Sequence, residues 1–192
     1  MRGHALVKVG LASLLQGEHG QAEAGFHRAD ALLETDIWMR WRWHIVLLRG
    51  WGELALAQGR YEDAWAYALQ SLALATQTAS QKHVARAQWL QGEVLAARGQ
   101  LTEAAHVLEA SVRLAAQLQT PREVWMGSAA LGNVFAQLGR DAEAEQAYLQ
   151  VTRTIDALAV RLQTPYLCQA LLSAAPVLEV YTALGHSPPR AR

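Results

Sequence analysis

Four times along this chain a glycine is followed seven residues later by a second glycine, and five residues beyond that by an alanine. The triplets are Gly10–Gly17–Ala22, Gly52–Gly59–Ala64, Gly92–Gly99–Ala104 and Gly132–Gly139–Ala144, and their first members are 42, 40 and 40 residues apart. Three residue types held in one register four times mark an internal repeat. A repeat of this length is a supersecondary unit that buries its apolar face against its neighbours. The residues between the glycines are dominated by Ala, Leu, Gln, Glu and Arg, the strong helix formers. Only five prolines occur, three of them after residue 170, and no stretch alternates cleanly at period two. The expectation is an all-α chain built of helical hairpins.

Each repeated position has a physical reason. The second glycine stands where one apolar-periodic segment ends and the next begins, as a helix-terminating glycine in left-handed geometry does. Acidic residues follow at the next helix start (Glu62 and Asp63, Glu103, Glu143), where they complement the helix dipole. The first glycine lies inside a helix, at a cost of about 1 kcal/mol relative to alanine. Its recurrence is read as close approach of the paired helix, with the repeated alanine meeting it across the hairpin. Phe26, Ala68, Leu108 and Tyr148, four residues beyond each alanine, extend that inner face by a turn.

Helix starts divide the chain the same way. Thr120-Pro121-Arg122-Glu123 combines a capping threonine, a proline at the first helical position and a capping-box glutamate. Thr164-Pro165 repeats the first two elements 44 residues later, Ser80 takes the matching place one repeat earlier, and Asp36 is read as the cap of the helix carrying Trp38, Trp41 and Trp43. A last helix runs from Thr164 to Leu184 and ends at Gly185, with Pro176 predicting a kink or break near Ala175. The reading is nine helices in one domain: repeats at about 1–34, 36–79, 80–119 and 120–163, a final helix at 164–185 and a frayed tail at 186–192. Both ends read as interrupted repeats, so a piece of a longer solenoid is the expectation.

The stretches Leu48–Trp51–Gly52–Ala55–Gly59–Ala64–Ala68–Ser71 and Ser128–Leu131–Gly132–Phe135–Gly139–Ala144–Tyr148–Val151 carry a pattern that resembles the tetratricopeptide repeat (TPR). The resemblance covers roughly residues 4–155. The family's terminal proline is missing, and the period is near 40 rather than 34, as in the longer variant found in large bacterial signalling ATPases and transcription regulators. The resemblance implies a right-handed superhelical solenoid of antiparallel hairpins whose first helices line a concave inner wall. It also implies a protein-interaction scaffold that holds a peptide or partner protein in that groove.

Offsets from the early glycine select the groove side chains that the resemblance implies: Val46, Arg49 and Glu53; Arg86, Trp89 and Glu93; Met126, Ala129 and Asn133. One turn earlier stand Arg42, Lys82 and Arg122. Five cations, two carboxylates, an indole and a thioether suit an acidic or amphipathic peptide, with Trp89 and Met126 as apolar anchors. The Arg49–Glu53 spacing of i,i+4 equally suits a solvated charged face. The alternatives are a self-association module pairing through its aromatic residues, and a small-molecule sensor. Of seven tryptophans, Trp38, Trp41 and Trp43 cannot all share one helical face, while Trp65, Trp89 and Trp125 read as packing residues.

Seventeen Lys plus Arg balance seventeen Asp plus Glu, so bulk charge offers no drive toward nucleic acid or membrane surfaces. A lone Cys168 cannot form an internal disulfide, no signal peptide or membrane span is evident, and the expectation is a cytoplasmic protein. No phosphate loop, zinc-protease or nucleophile-elbow motif occurs, and no two of the seven histidines are spaced i,i+4. Neither catalysis nor a cofactor nor a metal is expected.

Overall fold

The computed structural model describes residues 2–33, 40–162 and 164–188. Among these are ten α-helices and no strand: α1 (Arg2–Leu15), α2 (His19–Leu33), α3 (Arg40–Ala57), α4 (Tyr61–Gln77), α5 (Gln81–Ala97), α6 (Leu101–Gln117), α7 (Pro121–Gln137), α8 (Asp141–Arg161), α9 (Pro165–Leu172) and α10 (Ala175–Ala183). The count exceeds the expected nine because the last segment is two helices. Pro176 has no amide hydrogen and can sit only in a first turn, so the chain breaks at Ser173–Ala174 and restarts. Asp36 and Trp38 lie outside the described residues.

The chain divides into two compact units, Met1–Arg98 and Gly99–Arg192. In the first, α1 packs on α2 and α3 on α4, with α5 lying against both α3 and α4. In the second, α7 packs on α6 and on α8, while α9 and α10 lie against α8.

Glycines close the turns within repeats as the register predicts. Gly17, Gly59, Gly99 and Gly139 all have φ between 70° and 76°. At Gly59 the following amide, that of Arg60, donates back to the carbonyl of Ala55 at 2.8 Å, and Arg140 does the same to Phe135 at 2.9 Å. These are the bonds of a Schellman termination, which satisfies carbonyls the ending helix would otherwise leave open. Turns between repeats use the same geometry without glycine: Ala79 and Gln119 both have φ of 52°. The expected side-chain caps are not formed. Ser80, Thr120 and Thr164 make no capping hydrogen bond, and the Thr120 hydroxyl instead donates backward to the Ala115 carbonyl at 3.1 Å. The tight Schellman turn aims that hydroxyl at the helix just ended.

The interior glycines Gly10, Gly52 and Gly132 are close-approach sites: the carbonyl of the repeated alanine stands 3.1 Å from a Cβ on Gly10 and 3.6 Å from one on Gly52, and a larger side chain comes closer still at all three. A Cβ on Gly10 would stand 2.6 Å from the Phe26 ring, and one on Gly50 would stand 2.7 Å from the same ring. Phe26 of α2 is thus wedged between glycines of α1 and α3. A Cβ on Gly132 would strike the ring of Tyr148, and one on Gly52 would come within 2.5 Å of Leu90. Around Phe26 the first unit builds a core of Val7, Ala29, Leu33, Leu47, Trp51 and Leu54. A second cluster joins Ala55, Ala64 and Ala68 to Leu90 and Val94 of α5. Trp51 lies between Phe26 and Tyr67, with ring centroids at 5.3 and 6.2 Å, and Trp43 stacks against His4 at 4.6 Å. Trp41 on the same helix is 39% exposed, as the spacing of the cluster required of one member.

Candidate functional site

The candidate groove residues of the first unit form two parallel stripes. On α3 they are Arg42, Val46, Arg49 and Glu53; on α5 they are Lys82, Arg86, Trp89 and Glu93. Spacings of three and four keep each stripe on one side of its helix, and α3 and α5 are packed neighbours. The sequence pattern therefore becomes a two-helix wall.

Charge is sorted along it. Near the helix starts, Arg42 and Lys82 are exposed; Arg86 is half-buried, and Arg49, in the middle of α3, is buried at 6% exposure. The charges of these four cations all act on His83, a residue the offset reasoning passed over. Burial first, and then Arg86, Arg49, Arg42 and Lys82, depress its pKa from 6.5 to about 4. At neutral pH the imidazole is uncharged, and its Nδ1 is buried without a hydrogen-bond partner among the described residues. The available signal was spacing, since His83 stands three residues before Arg86 and shares its side of α5.

Near the helix ends the sign reverses. Glu53 receives a charge-assisted hydrogen bond from Nη1 of Arg49, closing an i,i+4 ion pair. Across from it, Glu93 is half-buried, and burial first and the Glu53 carboxylate second raise its pKa from 4.5 to about 7. The wall thus presents a field that is positive at one end and carboxylate-lined at the other. In water such charges are screened over about 10 Å at ordinary salt, but partly buried ones much less.

The apolar members of the stripes serve packing. Val46 is half-buried against the first core cluster, and Trp89 is half-buried against the second. Trp89 is therefore a packing residue that keeps part of its indole exposed. Arg98, at the end of α5, binds back to α4: it pairs with Glu62 at 2.8 Å, donates to the Tyr61 carbonyl at 3.1 Å and lies 5.3 Å over Trp65.

In the second unit α7 carries the remaining candidates. Arg122 is exposed, Met126 and Ala129 are half-buried, and Asn133 is exposed. The Tyr148 hydroxyl donates to Oδ1 of Asn133 at 2.7 Å, so this asparagine oxygen helps hold the ring that Gly132 accommodates. Among the described residues no group of three or more His, Cys, Asp or Glu could hold a metal ion. Cys168 is a buried free thiol, and no helix is long and apolar enough to cross a membrane.

No protein-family model matches the sequence, and no curated protein matches it either. Solved structures do. BtubC (BKLC) from P. vanneervenii superposes with a TM-score of 0.67 at 14% identity, over 96% of this chain and 75% of that one. The apo form of RapI gives 0.64 at 11% identity, over 96% of this chain and 65% of that one. Kinesin-light-chain TPR-like repeats from Podosopora anserina give 0.58 at 18% identity, over 96% of this chain and 87% of that one. The structural neighbours are TPR-like repeat proteins, and this chain is a helical repeat of that fold.

Proposed function

We propose that this chain is a non-catalytic, cytoplasmic interaction scaffold whose α3–α5 wall holds an acidic or amphipathic segment of a partner protein. The TPR-like fold supports the coarse reading. The observation that carries the finer one is the placing of Arg42 and Arg49 on α3 and of Lys82 and Arg86 on the packed α5, whose charges together depress the pKa of His83. The positive field of Arg42, Lys82 and Arg86, on one side of two packed helices, attracts a carboxylate-rich segment and orients it along the wall, while Arg49 is held by Glu53. By analogy with regulators built on long repeats, the scaffold is the sensing or interaction arm of a larger bacterial regulator.

The test uses a fluorescein-labelled peptide of alternating glutamate and leucine, read by anisotropy against the full chain. Arg49 is unsuitable for reversal, because it is buried against Glu53 and its loss would strand a carboxylate. Arg42 and Lys82 are exposed, so the pair Arg42→Glu plus Lys82→Glu leaves the core alone. The double reversal is expected to weaken capture at least about tenfold with unchanged circular dichroism. Bound carboxylate should also raise the titration midpoint of His83 above its free value of about 4. Equal capture by the reversed chain, with His83 unmoved, sinks the proposal.

A further inference from the structure

A second site lies within the other unit and does not rest on the reading above. The spacing from Thr120-Pro121 to Thr164-Pro165 is 44 residues where the repeat period is 40. The extra four residues appear as one added turn of α8, which has 21 residues against 17 in its partner α7 and in α6. At 1.5 Å per residue that turn overhangs by about 6 Å. Between the lengthened half of α8 and the turn joining α6 to α7 opens a cleft of about 620 Å³, within the range of small-ligand sites.

The chemistry of this cleft is one-sided. Its lining joins apolar Val124, Ala157 and Leu158 to Arg153, Thr154 and Arg161. No Asp or Glu lines it. Both arginines are exposed, and neither has an ion-pair partner among the described residues. Elsewhere in this unit Arg140 is paired with Glu143. On α8 the lining residues 150, 153, 154, 157, 158 and 161 fall at steps of three and one, a single helical stripe.

We infer that this cleft binds a small amphipathic carboxylate: an apolar body against Val124 and Leu158 and an anionic head held by Arg153 and Arg161. Guanidinium groups suit this role because their planar donors match a carboxylate's two oxygens. Charge complementarity selects the sign of the ligand, and the volume of about 620 Å³ matches a small molecule.

The experiment uses the full chain with decanoate as probe. Methyl resonances of Val124 and Leu158 are followed by NMR, which separates this cleft from the α3–α5 wall. Both should shift and saturate with decanoate, and decanol, of equal length without the charge, should bind at least about tenfold more weakly. Arg153→Gln plus Arg161→Gln should raise the apparent Kd at least about tenfold at unchanged helicity. Arg42→Glu plus Lys82→Glu should leave these shifts intact, so failure of the wall proposal and failure of this one are distinguishable. Still methyls, decanol equal to decanoate, or full affinity in the glutamine variant would each overturn the inference.

Discussion

Glu93 and His83 lie on the same helix and are displaced in ways that oppose each other in pH. Glu93 rises from 4.5 to about 7. A carboxyl whose folded value exceeds its unfolded one holds its proton more tightly in the fold. Its contribution is fully present below 4.5 and lost as pH climbs through about 7. His83 falls from 6.5 to about 4. The unfolded chain then takes up the proton first, so the contribution is present above 6.5 and lost as pH drops through about 4. One pH unit of displacement corresponds to 1.36 kcal/mol, so each effect is at most about 3.4 kcal/mol, reduced to about 2 kcal/mol because both side chains keep some contact with water. Between pH 4.5 and 6.5 the two slopes nearly cancel in the native chain. Glu93→Gln removes the falling slope and exposes the rising one; His83→Gln does the reverse. Urea denaturation followed by circular dichroism across this window should therefore give a nearly level profile for the native chain and opposite slopes of about 2 kcal/mol for the two variants. Parallel profiles in all three proteins would refute the assigned environments. So would two variants sloping the same way.

Gly132→Ala gains about 1 kcal/mol of helix propensity but drives a methyl into the ring of Tyr148, which is buried and anchored to Asn133. Overpacking of about 1–3 kcal/mol should prevail and lower Tm by a few degrees, and combining it with Tyr148→Leu should cost less than the two changes added separately. Gly20→Ala is the opposite case: a Cβ there meets nothing within 4 Å, and a gain of about 0.5 kcal/mol is expected in the same melt. Tyr181 donates to Asp156 at 2.6 Å and ties α10 to α8. Tyr181→Phe should cost about 1–2 kcal/mol and speed hydrogen exchange in α10 ahead of α7, whereas uniform exchange would place that tie elsewhere.

How much of this was legible beforehand depends on the range of the interaction involved. The hairpin repeat was readable because its signals act over a few residues: a left-handed glycine at Gly59 or Gly139, a proline that forces the break before Pro176, a helix-forming composition between them. Capping was misjudged at Thr120 for a related reason. The side chain type was right, but the Schellman turn before it decided where the hydroxyl points. Candidate groove residues were found as stripes, yet their environments were not. Offsets along a helix say which side a residue occupies and nothing of how deeply the neighbouring helix covers it.

The fourfold register of glycine, glycine and alanine by itself determined that this chain forms all-α hairpins, since backbone conformation and helical period are local properties. Tertiary packing decided the rest. It wedged Phe26 between Gly10 and Gly50, drew Trp89 into a core cluster and buried Arg49 beside Glu53. It also let the charges of four cations act on His83 and brought Glu53 close to Glu93. These outcomes depend on how neighbouring helices cover one another, and their energies on burial and on charge-to-charge distance, quantities that exist only once the helices have packed.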